Sequence, residues 1–452
     1  MPLFRASRSF RYLKGIAMAL ALFSASSAAD AQVGKIEKLV TPAGIELWFV
    51  RDDTLPIISL NFAFDGGASQ DPADRAGLAY VTAAMLDEGA GELDAKAFQE
   101  RLERRAISLS YSADRDTFRG SVRVLSEHRD EAFELLRLSL NAPRFDQEAI
   151  DRIRASILAA YKRALTNPDE IASLRWFEQA FPNHPYGRPV KGDEKSVAGI
   201  ERSMLFGYVK KNLARSNLKI AVVGSIEAGE LMRLIDQAFA KLPAKADLAD
   251  IPDAAPQSLG RREVIDLNIP QTTITFGGVG LKRKDPDFMP AFVLNHVLGG
   301  GSFSSRLYRE VREKRGLAYS VYSYLATLDR SGLFMGGTST RNDRAAETLQ
   351  IIEQEIVRIA KDGPTAEELA QAKSYLTGSY LLHFDTSAKV ASQMLEIQLE
   401  ELGIDYFARR NSMVNAVSAE DVRRAANRFL ADSKLLVIMV GRPATLSKSN
   451  GG

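Results

Sequence analysis

Arg312 and Tyr319 are the two side chains of this sequence best suited to act together on one atom. An arginine keeps its charge and presents several N–H donors, and a neutral tyrosine hydroxyl adds one more. A converged pair of this kind suits an oxygen that carries or develops negative charge. The two stand seven residues apart in GGGSFSSRLYREVREKRGLAYSVYSYL, Gly299 to Leu325, with Gly316 between them. By residue type alone the setting is ordinary. REVREKR suits a solvated helix face laced with charge pairs, and a tyrosine at a strand start usually packs. The Gly299-Gly300-Gly301 run lacks a G-K-[ST] ending and does not directly follow a strand, so it is a turn and not a phosphate cradle. The only histidines are His128, His184, His296 and His383, no two within one helical turn in sequence, and there is no cysteine. His128 lies among charges in SEHRDE and belongs on the surface. His184 and His383 read as loop or packing residues, and His296 as one that packs or caps. A self-contained zinc site lacks ligands.

What positions the pair is a change of periodicity. Leu307 and Val311 fall on one side of an amphipathic segment, Gly316 stops it, and an alternating strand-like run begins. Arg312 is therefore expected at a helix end and Tyr319 at a strand start. Two other helices matter. Gly77 to Asp87 follows a glycine turn with Leu78, Val81, Met85 and Leu86 on one stripe and Tyr80, Ala83 and Ala84 on the neighbouring face. Ala149 to Leu165 is longer and is stopped by Asn167-Pro168.

The chain says most things twice. Strand-like runs meet glycines at Ile58–Gly67 and Thr272–Gly278, with Phe64 and Phe276 separated by 212. A turn and helix start recurs, with Ile150 and Leu369 separated by 219, and Thr365 with Glu368 forming a capping box in the second copy. Each half closes on a strand ending in glycine, Gly224 and Gly441, separated by 217. Three landmarks at nearly one offset argue for internal duplication. The predicted fold is α+β: two homologous domains, each a mainly antiparallel sheet with helices packed on one face. The predicted boundaries are 32–242 and 263–452, joined by an Ala-, Asp- and Pro-rich linker at 243–262.

At 452 residues, 45% apolar and 26% charged, the chain has the composition of a folded globular protein with room for two cores. Residues 1–31 match a cleaved export signal: basic Arg5, Arg8, Arg11 and Lys14, a short apolar core, and Ala29-Asp30-Ala31. That segment carries four Lys/Arg against one acid, so the overall +2 falls to −1 without it. A near-neutral protein has no bulk electrostatic reason to bind nucleic acid or anionic lipid. The expected location is the periplasm, with no stable membrane insertion and, without cysteine, stability from packing alone.

LNHVLGGGSFSSRLYREVREKRGLAYSVYSYL, GGASQDPADRAGLAY and the duplicated layout together resemble the pitrilysin/insulinase superfamily of metallopeptidases, in its two-domain bacterial and mitochondrial-processing-peptidase form. The resemblance covers roughly residues 36 to 445. It implies an inverted zinc motif, H-x-x-E-H, on the first helix and a further glutamate on a later one. Those positions here are Tyr80, Ala83, Ala84 and Ala160, so no zinc ligand or general base remains. It also implies that Arg312 and Tyr319 face a zinc site and bind peptide near the scissile bond. Gly299, Gly300 and Gly301 would then form a flexible turn beside the entering peptide, with a purely structural turn the open alternative. The expectation is a non-catalytic, substrate-binding subunit of a heterodimeric zinc peptidase. A partner bearing H-x-x-E-H supplies the zinc, and this chain binds no cofactor. An inert scaffold subunit of a larger complex is the alternative.

Overall fold

Alternation in Ile57–Asp65 sends Ile58, Leu60, Phe62 and Phe64 to one face of a sheet and Ala63 to the other, and both faces are buried. The computed structural model describes residues 34–430, 432 and 434–444; the predicted export signal, 1–31, lies outside the described residues.

Eleven strands form two sheets among the described residues. The first holds β1 (Glu37–Val40), β2 (Glu46–Arg51), β3 (Ile57–Asp65), β4 (Ser108–Ala113), β5 (Thr117–Leu125) and β6 (Leu218–Gly224), in the order β1-β2-β6-β3-β5-β4. The second holds β7 (Arg262–Ile265), β8 (Gln271–Val279), β9 (Ala318–Leu328), β10 (Ser331–Arg341) and β11 (Leu436–Val440), in the order β7-β11-β8-β10-β9. Without β1, the two orders superimpose strand for strand. The single parallel pair of each sheet, β2 with β6 and β7 with β11, falls at the same place. Residues 243–261 contain no helix or strand.

Packing shows how the copies correspond. Phe62 lies opposite Gly120, where an added Cβ would stand 2.1 Å from its ring, and Phe276 lies opposite Gly336 with a separation of 2.2 Å. Each large ring needs the missing side chain across the strand. Phe62, and not Phe64, is thus the structural counterpart of Phe276.

Each sheet is covered on one face by helices of its own half. On the other face the halves exchange helices. Pro168–Ala180 crosses β8 and β11, burying Ala172, Trp176 and Ala180 against Leu333, Met335, Leu436 and Ile438. Ser387–Leu399 crosses β3 and β6, burying Val390, Ala391, Met394 and Leu395 against Trp48, Val50, Ala63 and Val223. Each exchanged helix also donates one hydrogen bond to a strand carbonyl: Trp176 Nε1 to Leu436 at 3.1 Å, and Gln398 Nε2 to Ile220 at 3.0 Å. The two halves are therefore locked by reciprocal cores.

Candidate functional site

The stretch that carries Arg312 is built from two interrupted helices and a strand. Phe288–Asn295 continues into a wider turn at His296–Gly300, closed by Gly301 N–H donating to the His296 carbonyl at 2.8 Å. Ser305 caps Arg306–Tyr308, which continues into a second wide turn at Arg309–Glu313. Such i→i+5 turns change the direction in which side chains leave a helix. Gly316 then takes φ +60, and β9 begins at Ala318. Arg312 is at a helix end and Tyr319 at a strand start, as the periodicity predicts.

Ion pairs beneath the segment fix it. Arg306 is buried; it donates to Glu368 at 2.9 and 2.6 Å and to the Gly363 carbonyl at 3.0 Å, while Arg309 reaches Glu368 at 3.0 Å. Burial pushes the Glu368 carboxyl up, but hydrogen bonds from Arg306 and the Thr365 N–H, with the Arg306 charge, outweigh it and hold it at about 2. Glu310, also buried, takes Lys314 and Arg315, each at 2.6 Å. Leu307 and Val311 are sealed in the core on the same side.

With that face anchored, Arg312 projects outward. Its guanidinium carbon stands 4.4 Å from the Tyr319 ring centroid and 4.9 Å from that of Tyr308, and one nitrogen donates to the Tyr308 hydroxyl. Tyr319 is 81% exposed, and its hydroxyl has no hydrogen-bond partner among the described residues. The chain thus offers a held cation and a free phenol side by side. A register shift between Thr338 and Thr340 opposite the start of β9 lets Tyr319, Tyr322 and Tyr324 all reach solvent, and β9 is an unpaired edge.

The glycines behave differently from a flexible turn. Gly299 and Gly300 belong to the wide helical turn, and Gly301 has φ −84. A Cβ on Gly299 would stand 2.5 Å from Ser323 Oγ, and Ser323 is clamped to Asn295 by hydrogen bonds of 2.8 and 3.2 Å. Close helix-to-strand approach explains that glycine. Of the histidines, His184 joins the Tyr186 N–H to the Pro252 carbonyl, and His296 stacks on Tyr375. His128 is partly buried beside Glu127.

The degenerate motif lies in the other half. Gly77, at φ +93, opens Leu78–Met85, and Asp71 accepts from the N–H groups of Gly77 and Ala79. Ala83 is buried in the core. Tyr80 and Ala160 line one cavity of about 490 Å³, together with Arg115, Arg163, Glu170 and Lys191. Zinc does not fit there. The walls offer one carboxylate against three cations, and among the described residues no group of three ligand side chains is placed to hold a metal. Sequence reasoning missed Arg115, because nothing near it in the chain marks it as part of this cavity; it also missed Tyr308. The aromatic spacing of YSVYSY was the one visible sign of the exposed tyrosines.

Fold and site together define a duplicated two-domain chain of the inverted-zinc-motif peptidase class whose motif positions hold no ligand. Residues 50–194 match the family described as insulinase (peptidase family M16), and residues 199–376 match the peptidase M16 inactive domain. A crystal structure of a peptidase M16 inactive domain from Pseudomonas fluorescens is 30% identical, with a TM-score of 0.85 over 92% of this chain and 99% of that one. A Helicobacter pylori protein named non-peptidase homolog YmxG is 27% identical, covering 77% of this chain and 80% of its own length. An uncharacterized zinc protease YmxG of Bacillus subtilis is 23% identical over 89% of this chain and 98% of its length. The chain belongs to the peptidase M16 family.

Proposed function

We propose that this chain is the non-catalytic, substrate-binding subunit of a heteromeric periplasmic zinc metallopeptidase. One observation carries the reading: a chain with no zinc ligand at Tyr80, Ala83, Ala84 or Ala160 still presents a half-buried Arg312 stacked on an exposed Tyr319. The name of the Helicobacter relative, a non-peptidase homolog, supports the first part. A partner carrying H-x-x-E-H supplies the zinc and general base, and the two subunits enclose a chamber.

In that chamber Arg312 and Tyr319 act on the peptide at the partner's zinc. The Tyr319 hydroxyl donates to the scissile carbonyl oxygen as charge develops, while the Arg312 cation favours that charge and keeps the phenol ring in place. The substrate is an unfolded peptide or short polypeptide, held by strand addition to a sheet edge, with Gly299, Gly300 and Gly301 beside its path. Folded proteins are excluded from the chamber.

Co-expression with the H-x-x-E-H chain tests this. Peptidase activity that neither chain shows alone is the expected result, with Tyr319→Phe lowering kcat by about 100-fold or more. Unchanged activity in Tyr319→Phe and Arg312→Ala would leave the chain a scaffold.

A further inference from the structure

The cavity at the lost zinc site has a chemistry of its own. Arg115, in the turn between β4 and β5, lies 3.6 Å over the Phe177 ring, and its Nε donates to the Tyr186 carbonyl at 3.2 Å. Its two terminal nitrogens have no hydrogen-bond or ion-pair partner among the described residues, and the side chain lines the cavity. The neighbouring Asp116 is engaged elsewhere, accepting from the Tyr186 hydroxyl at 2.6 Å and the Asp329 N–H at 3.1 Å. Burial pulls the Arg115 guanidinium down to about 10, so it stays charged at neutral pH. On the cavity wall Lys191 faces Glu170 at 3.9 Å, whereas Arg163 has no ion-pair partner among the described residues. Two cations without an ion-pair partner among the described residues therefore share a pocket whose wall also carries the Lys191–Glu170 pair and an apolar patch of Ile157, Ala160 and Leu174.

A half-buried guanidinium, held through its Nε and by the ring beneath it, keeps both terminal nitrogens available on the cavity wall, and its planar fork matches a carboxylate. The volume, about 490 Å³, lies within the range of small-ligand sites. The N–H of Asp329, directly after β9, donates to Asp116 beside Arg115 at 3.1 Å, so the end of the unpaired β9 edge lies against the turn that carries Arg115. We propose that the cavity is a carboxylate-binding site that takes the C-terminal residue of a peptide. The terminal carboxylate lies on the free nitrogens of Arg115, and the last side chain lies against Ile157, Ala160 and Leu174. The site needs only this chain, so it and the partner-subunit reading fail separately.

The test is fluorescence anisotropy on the purified chain with two labelled decapeptides, identical except for a free or an amidated C-terminus. The free acid should bind at least about tenfold tighter than the amide. Arg115→Gln should erase that preference, and Ala160→Trp, on an exposed helix position, should block binding by filling the cavity. Displacement of the peptide by millimolar succinate would support the same carboxylate chemistry and show that a free acid also enters. Equal affinity for acid and amide, or no binding of either peptide or of succinate, overturns the proposal. A preference that survives in folded Arg115→Gln, or undiminished binding by Ala160→Trp, does so too. Should Arg115→Gln fail to fold, the wild-type comparison and Ala160→Trp decide.

Discussion

Replacing Glu368 by glutamine should destabilise the second domain by an amount that depends on pH in a defined direction. Its carboxylate is the shared anchor of Arg306 and Arg309 and also accepts the Thr365 N–H at 2.9 Å, closing a capping box. The side chain is only 17% exposed, so solvent screens these contacts little. A fall from 4.5 to about 2 corresponds to about 3 kcal/mol at about 1.36 kcal/mol per pH unit. Because the folded value is the lower one, this stability is fully present above pH 4.5 and is lost as the pH falls towards 2. Glutamine keeps an acceptor for the capping box, so the variant isolates the charge. Urea unfolding of wild type and Glu368→Gln should therefore differ by about 3 kcal/mol at pH 7 and by about half that at pH 3. A difference that is the same at both pH values would refute the assignment of the anchor to an ionised Glu368.

Three further outcomes follow from packing and metal chemistry. Trp176→Ala removes the largest side chain that one half buries in the other, and should cost about 3–5 kcal/mol in urea unfolding. Gly299→Ala forces a methyl against Ser323 and should cost about 1–3 kcal/mol, with loss of near-ultraviolet circular dichroism around the tyrosines of β9. Zinc added to the purified chain should leave its melting temperature unchanged, since only a ligand that binds the native state raises it.

Strand alternation, the glycine stop at Gly316 and the repeated landmarks are local properties, so the two-sheet α+β architecture and the placement of Arg312 and Tyr319 were legible in the sequence. The exchange of helices was not, because the apolar stripe of Pro168–Ala180 says that it must pack but not on which sheet. The register of the duplication was read two residues off, since Phe62 and Phe64 are equivalent by type and differ only in lying opposite Gly120 or Phe118. Thr365 and Glu368 announced a capping box, yet the pairing of Glu368 with Arg306 spans 62 residues and depends on tertiary structure. Arg115 was invisible for the same reason: its burial is made by Phe177 and Tyr186, far along the chain.

The central claim is that the zinc this fold family uses sits on another chain. Purifying the native protein from its own cells, and measuring the mass and metal content of what comes with it, tests that most directly. The account predicts a second chain of similar size and about one zinc per pair, with the metal leaving alongside the partner when the two are separated. Zinc retained in stoichiometric amount by this chain alone would contradict it, as would a stable assembly that contains no H-x-x-E-H subunit.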